Sequence, residues 1–151
     1  MSESTPRFRD IHLSAITAEA GQAALLLGLP ESPFEDVSVS DVEIRAQRGF
    51  VGKDARNLRL RSVHVETAAG PAFSIERSED LDLFDVATPA PHPAAAVVEL
   101  AAVKHAHLHG RRAGRGTYVF ARLLGVPAAE VALDGNDFRL AKTPTVVAGN
   151  R

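Results

Sequence analysis

At 151 residues the chain is long enough for one domain with a real core and too short to expect two. A formal charge of -2 at pH 7 excludes nucleic-acid binding driven by net charge, so any charge-based recognition must be local. The absence of cysteine excludes disulfides, thiolate metal sites and cysteine nucleophiles.

The opening stretch, "MSESTPRFRDIHLS", has no basic segment followed by an apolar one, as a secretory signal would. No apolar run approaches the roughly 20 residues needed to span a bilayer. From Asp10 onward the chain repeats itself. "DIHLSAITA" is followed by "DVSVSDVEI" from Asp36, "NLRLRSVHV" from Asn57, "DLDLFDVAT" from Asp80, "HAHLHG" from His105 and "EVALDGNDF" from Glu130. The first apolar positions, Ile11, Val37, Leu58, Leu81, Ala106 and Val131, are separated by 26, 21, 23, 25 and 25 residues. A fixed pattern with variable spacing is the mark of stacked repeats.

With that first apolar residue as n, apolar residues fall at n, n+2, n+5 and n+7, as in Val37, Val39, Val42 and Ile44. Steps of two predict strand with alternate side chains inward. The step of three predicts a corner that re-aims the inward face, and Asp41, Ser62, Asp85 and Gly135 stand there, residue types suited to tight bends. A second apolar segment follows each line, centred on Leu25, Phe50, Phe73, Val98, Phe120 and Val146. Glycine and proline in "LLLGLPESP" and "RLLGVPAAE" then release the chain into the next coil.

Three strand faces per repeat, with no amphipathic helix between them, predict an all-β fold. It is a right-handed parallel β-helix, a solenoid of about six coils filling residues 1–151 as one domain. A leucine-rich repeat shares this period, but it expects one short strand per repeat and an asparagine at a fixed offset, which only Asn136 approaches.

The sequence from "FRDIHLSAITAEAGQAALLLGLPESPFEDVSVSDVEIRAQRG" through "ARNLRLRSVHVETAAGPAFSI" resembles the C-terminal coils of glycoside hydrolase family 28, the polygalacturonase family. "GLPESPFEDVSVSDV" carries most of the resemblance, and "GTYVFARLLG" with "VALDGND" extends it to the last coils. The resemblance implies inverting hydrolysis of pectic glycosidic bonds, no cofactor, and secretion or periplasmic residence. Inversion needs two carboxyl groups about 6.5–9.5 Å apart. The family's Asn-Thr-Asp, Asp-Asp, Gly-His-Gly and Arg-Ile-Lys motifs do not occur here, so no catalytic residue carries over. The chain is expected to be the C-terminal β-helix portion of such an enzyme, inactive alone. The alternative is a non-catalytic binding or scaffold module for an acidic glycan or a partner chain.

Residues that bear on binding fall in the second half. Arg111, Arg112 and Arg115 in "GRRAGRG" are candidates for contact with an acidic polysaccharide, because guanidinium groups pair bidentately with carboxylates. "HAHLH" places His105, His107 and His109 on one strand face, a donor set of the kind that grips a divalent metal. Successive donors along a flat strand lie about 7 Å apart, so that face reads as an outer polar surface and no metal is expected. "SEDLDLFD" offers Glu79, Asp80, Asp82 and Asp85 but lacks the glycine of a calcium loop, and a relocated hydrolytic site on those aspartates has no visible cleft. No nucleic-acid or membrane partner is expected. The first coil, with Phe8, Ile11 and Leu13, should expose an apolar cross-section that invites self-association or an upstream half unless residues 1–7 fold over it as a cap.

Overall fold

The alternation that begins at Asp10 becomes a stack of parallel strands in the computed structural model, which describes residues 8–92 and 94–148. The strands are β1 (Arg9–Leu27), β2 (Phe34–Lys53), β3 (Ala55–Thr67), β4 (Phe73–Glu76) and β5 (Glu79–Phe84). They continue with β6 (Ala96–Ala101), β7 (Lys104–His109), β8 (Val119–Leu124), β9 (Val131–Ala132) and β10 (Thr143–Ala148). A single 3-10 turn, Ala128–Glu130, is the only helical element among the described residues. Among the described residues no helix is long and apolar enough to cross a membrane.

Every strand pairing is parallel, and each strand bonds to its counterpart one coil away. One face of the β-helix runs β1, β2, β3, β5, β7, β9, giving six coils. Its register is Ile11, Val37, Leu58, Leu81, Ala106 and Val131, the alignment expected from the repeat. Another face runs from the second half of β2 through β4, β6 and β8 to β10. β1 and β2 are long because each turns through several faces while its backbone stays paired to the next coil.

The corners are made by residues in the left-handed region. One set precedes n: Asp10, Asp36, Asn57, Asp80 and His105. A second set stands at n+4: Ala15, Asp41, Ser62, Asp85, Gly110 and Gly135. A third closes the last face at Asp54, Arg77, Ala102 and Gly125. A residue with a Cβ costs about 1–2 kcal/mol in this conformation, and Asp and Asn tolerate it best. Seven of the twelve non-glycine residues there are Asp or Asn, which explains why the repeats open on an acid or amide. At Gly110 two demands coincide: a positive φ, and the Phe84 ring lying where a Cβ would project.

Inward side chains stack like on like. Leu58 and Leu81, Leu60, Leu83 and Leu108, Val42 and Val63, and the Phe50–Phe73 pair at 6.1 Å between ring centroids fill the lumen. Burial of each such side chain contributes roughly 1.5–3 kcal/mol. The third face departs from expectation by one residue in three coils. Its register passes through Ala24, Phe50, Phe73, Val98, Ala121 and Thr145, not through Leu25, Phe120 and Val146. A shift of one residue reverses the face, so Ala24 and Leu26 pack against the lumen while Leu25 is 56% exposed.

The two ends differ. At the C-terminal end Leu133 and Phe138 pack onto the core, Phe138 lies 5.0 Å from Phe120, and Asn136 Nδ2 donates to the carbonyls of Leu108 and Leu133. At the N-terminal end β1 pairs, among the described residues, with β2, and no residue of β1 is fully buried. The lumen opens there into an apolar mouth of about 190 Å³ bounded by Leu13, Ile16, Ala24 and Leu26. Residues 1–7, considered above as a cap, lie outside the described residues.

Two outcomes follow for stability. Leu83→Ala, at a fully buried position, should lower the unfolding free energy by about 3 kcal/mol in urea titrations followed by circular dichroism. Asp41 is exposed with φ of 54°. There Asp41→Gly should be neutral within about 0.5 kcal/mol, and Asp41→Val should cost about 1–2 kcal/mol.

Candidate functional site

Outward residues of neighbouring coils form ladders in the same register as the lumen, and these ladders make the surface chemistry. On the face after the second corner, Thr17, Glu43 and His64 lie side by side, as do Glu19, Arg45 and Glu66. They line an open groove of about 570 Å³, with Ala87, Pro89 and Arg111 at its far end. Arg45 stands between two acids, 3.6 Å from Glu19 and 3.5 Å from Glu66. Sequence reading missed this groove because its members are 20 or more residues apart and meet only when n+6 and n+8 are aligned across coils.

At the groove's end Asp85 joins two partners. Its Oδ2 lies 3.3 Å from His64 Nε2, and its Oδ1 accepts from Arg111 Nη1 at 3.1 Å. The corner geometry of Asp85 aims the carboxylate at the coils on both sides. A carboxylate orienting an imidazole is half of a nucleophile relay. Among the described residues no hydroxyl hydrogen-bonds His64, so the relay stops there.

The three arginines expected as one patch are separated by the fold. Arg111 falls at n+5, where other coils place Val42, Val63 and Val86 inward. A guanidinium cannot be buried there unpaired, and the side chain instead reaches Asp85 while remaining 26% exposed. Arg112 pairs with Asp137 at 3.4 Å. Arg115 is exposed at the turn, with no ion-pair partner among the described residues. Asp137 also receives Arg139 through Nε at 2.9 Å, Nη2 at 2.7 Å and its backbone N–H at 3.1 Å. Those side-chain and backbone hydrogen bonds hold the Asp137 carboxyl well below the usual carboxylate range, so it cannot serve as a proton donor near neutral pH.

The histidine face separates too. His105 occupies a corner, with φ of 52°, and its ring lies 3.3 Å from Asp80 and 3.9 Å from Glu130. His107 and His109 converge, with ring centroids 3.9 Å apart and planes within 8°. The spacing argument for a flat strand therefore fails for this pair, because side-chain rotation brings the rings together. Asp134 Oδ1 lies 2.8 Å from His107 Nε2, and Asp82 Oδ1 lies 2.6 Å from His109 Nε2. Phe84 backs His109 at 5.0 Å and takes Arg61 over its other side at 5.0 Å, so this phenylalanine faces outward, unlike Phe50, Phe73 and Phe120.

Asp80, Asp82 and Asp85, weighed above as a relocated hydrolytic set, are thus each committed to a histidine or arginine. Only Asp85 reaches the groove's end, through Arg111 and His64. The arrangement binds and orients charge, and among the described residues it offers no pair of free carboxyl groups on those aspartates. In comparisons with known proteins, the chain matches no family model, no curated protein and no solved structure.

Proposed function

We propose that this chain supplies the closing coils of a longer polygalacturonase-like β-helix, extending its saccharide-bearing wall while the catalytic acids reside on preceding coils. The observation that carries the reading is the asymmetry of the ends. Leu133, Phe138 and Asn136 pack over one end, whereas among the described residues none covers the lumen mouth beside β1 at the other. Solenoids require a capping repeat at a free end, and an unpaired edge over an open core is a template for another strand. The pectic substrate class rests on the sequence resemblance described above.

The surface ladders state what a preceding coil must carry. Arg9, Glu35, Arg56, Glu79 and Lys104 succeed one another in register, alternating in sign. Glu19, Arg45 and Glu66 do the same with opposite phase. Like charges directly opposite are destabilising, so the preceding coil should set an acid beside Arg9 and a base beside Glu19. A scaffold role through the same open end is the second reading. It is favoured over glycan capture by the arginine turn, because Arg111 and Arg112 already have carboxylate partners.

Two measurements test this. The purified chain at high concentration should release no reducing sugar from polygalacturonate or rhamnogalacturonan. Turnover abolished by replacing one of its own acids would overturn the proposal. In sedimentation velocity the chain should associate with rising concentration, and Leu13→Lys at the lumen mouth should weaken that association. A concentration-independent monomer would remove the argument from the open end.

A further inference from the structure

The geometry points to a binding site for a divalent transition metal of the zinc class on the outer face of the last three coils, built from Asp82, His107 and His109 with Asp134 beside them. One donor atom from each of Asp82, His107 and His109 lies within 4.8 Å of the others. A tetrahedral ion about 2.1 Å from each ligand holds those ligand atoms about 3.4 Å apart. The remaining gap, on the order of 1.4 Å, is within the reach of side-chain rotation. None of the three is fully buried, Asp82, His107 and His109 being 53%, 40% and 27% exposed, and an ion would take the place of their present contacts with one another and with Asp134.

The donor chemistry selects the ion. Two imidazoles and a carboxylate suit zinc and its neighbours in the transition series, whereas magnesium and calcium favour sites made of oxygen alone. Outer-sphere carboxylates commonly orient metal-bound histidines, and Asp134, 2.8 Å from His107, stands where it can ligate directly or hold that ring. The strands supply the rigidity. Asp82 pairs in register with His107, Leu83 with Leu108, and both leucines are buried, so the backbone beneath the site is fixed. Phe84 packs against His109 from one side, and Gly110, which no larger residue can replace without meeting Phe84, preserves that packing. His105 takes no part, since its corner position turns it to Asp80 and Glu130.

The site joins separate coils: Asp82 comes from β5, the histidines from β7, and Asp134 from the turn after β9. An ion there would tie together segments up to 52 residues apart in sequence (82 to 134), and so would raise stability by binding the folded state alone.

Titration of the purified chain with zinc chloride in a calorimeter tests this, with magnesium chloride as the comparison. We expect one saturable zinc site, no competition by magnesium, and a rise in the thermal unfolding midpoint with zinc. The His107→Ala/His109→Ala double variant should lose both binding and the shift, Asp82→Asn should weaken binding at least tenfold, and His105→Ala should leave it unchanged. Absence of saturable zinc binding would overturn the inference. So would equal affinity in the double variant, which would mean zinc binds elsewhere on the chain. Circular dichroism checks that the double variant folds, and Asp82→Asn, at an exposed position, carries the test if it does not.

Discussion

Coil-to-coil register is the constraint on which the rest of this molecule depends. Parallel stacking at about 4.8 Å per coil sets each residue beside the residue at the same phase of the neighbouring repeat, both inside and outside. Inside, this lets Leu60, Leu83 and Leu108 form a continuous apolar row. Outside, it turns isolated charges into ladders. The same constraint makes the left-handed corners obligatory, because every coil must change direction at the same phase for hydrogen bonding to continue through it. Asp54 illustrates the coupling. It adopts φ of 55°, is nearly buried, and receives Arg77 from the next coil's equivalent corner through two hydrogen bonds, at 3.1 and 2.9 Å.

The lumen was legible in the sequence because its signal is local. Val37, Val39, Val42 and Ile44 announce strand, corner and strand within eight residues, and the register of the first face follows from matching that pattern across coils. The third face was less legible, since "ALLL" and "YVFA" are apolar throughout and alternation disappears. Phase there is set by which side chain fits beside Phe50 and Phe73. Ala24 meets Phe50, and Ala121 meets Val98. The outer contacts were not legible at all. Asp82 meets His109, and His107 meets Asp134, diagonally across coils, so that aligning equal phases pairs Asp82 with His107 and leaves the observed partner one step away.

The outer ion pairs also bear on what the surface can do. Exposed pairs such as Arg45 with Glu19 contribute little stability, typically below about 1 kcal/mol each. Their effect is on selection. Arg56 stands 3.0 Å from Glu79 and 4.0 Å from Glu35, and displacing the stack by one coil would set acid against acid. Alternation of sign along a ladder therefore disfavours shifted pairings as well as favouring the observed one.

Asp80, Asp82 and Asp85 each pair with an imidazole or guanidinium from an adjacent coil, and Asp137 with Arg112 and Arg139. Carboxylates so employed stabilise a stack and position neighbours. Such pairs run the length of the solenoid, from Glu19 with Arg45 to Asp137 with Arg139. Among the described residues, the first coil pairs along the length of β1 with β2 and lines an apolar mouth with Leu13, Ile16 and Leu26. The two ends of the lumen thus differ in kind, apolar side chains lining one and Leu133, Phe138 and Asn136 packing over the other.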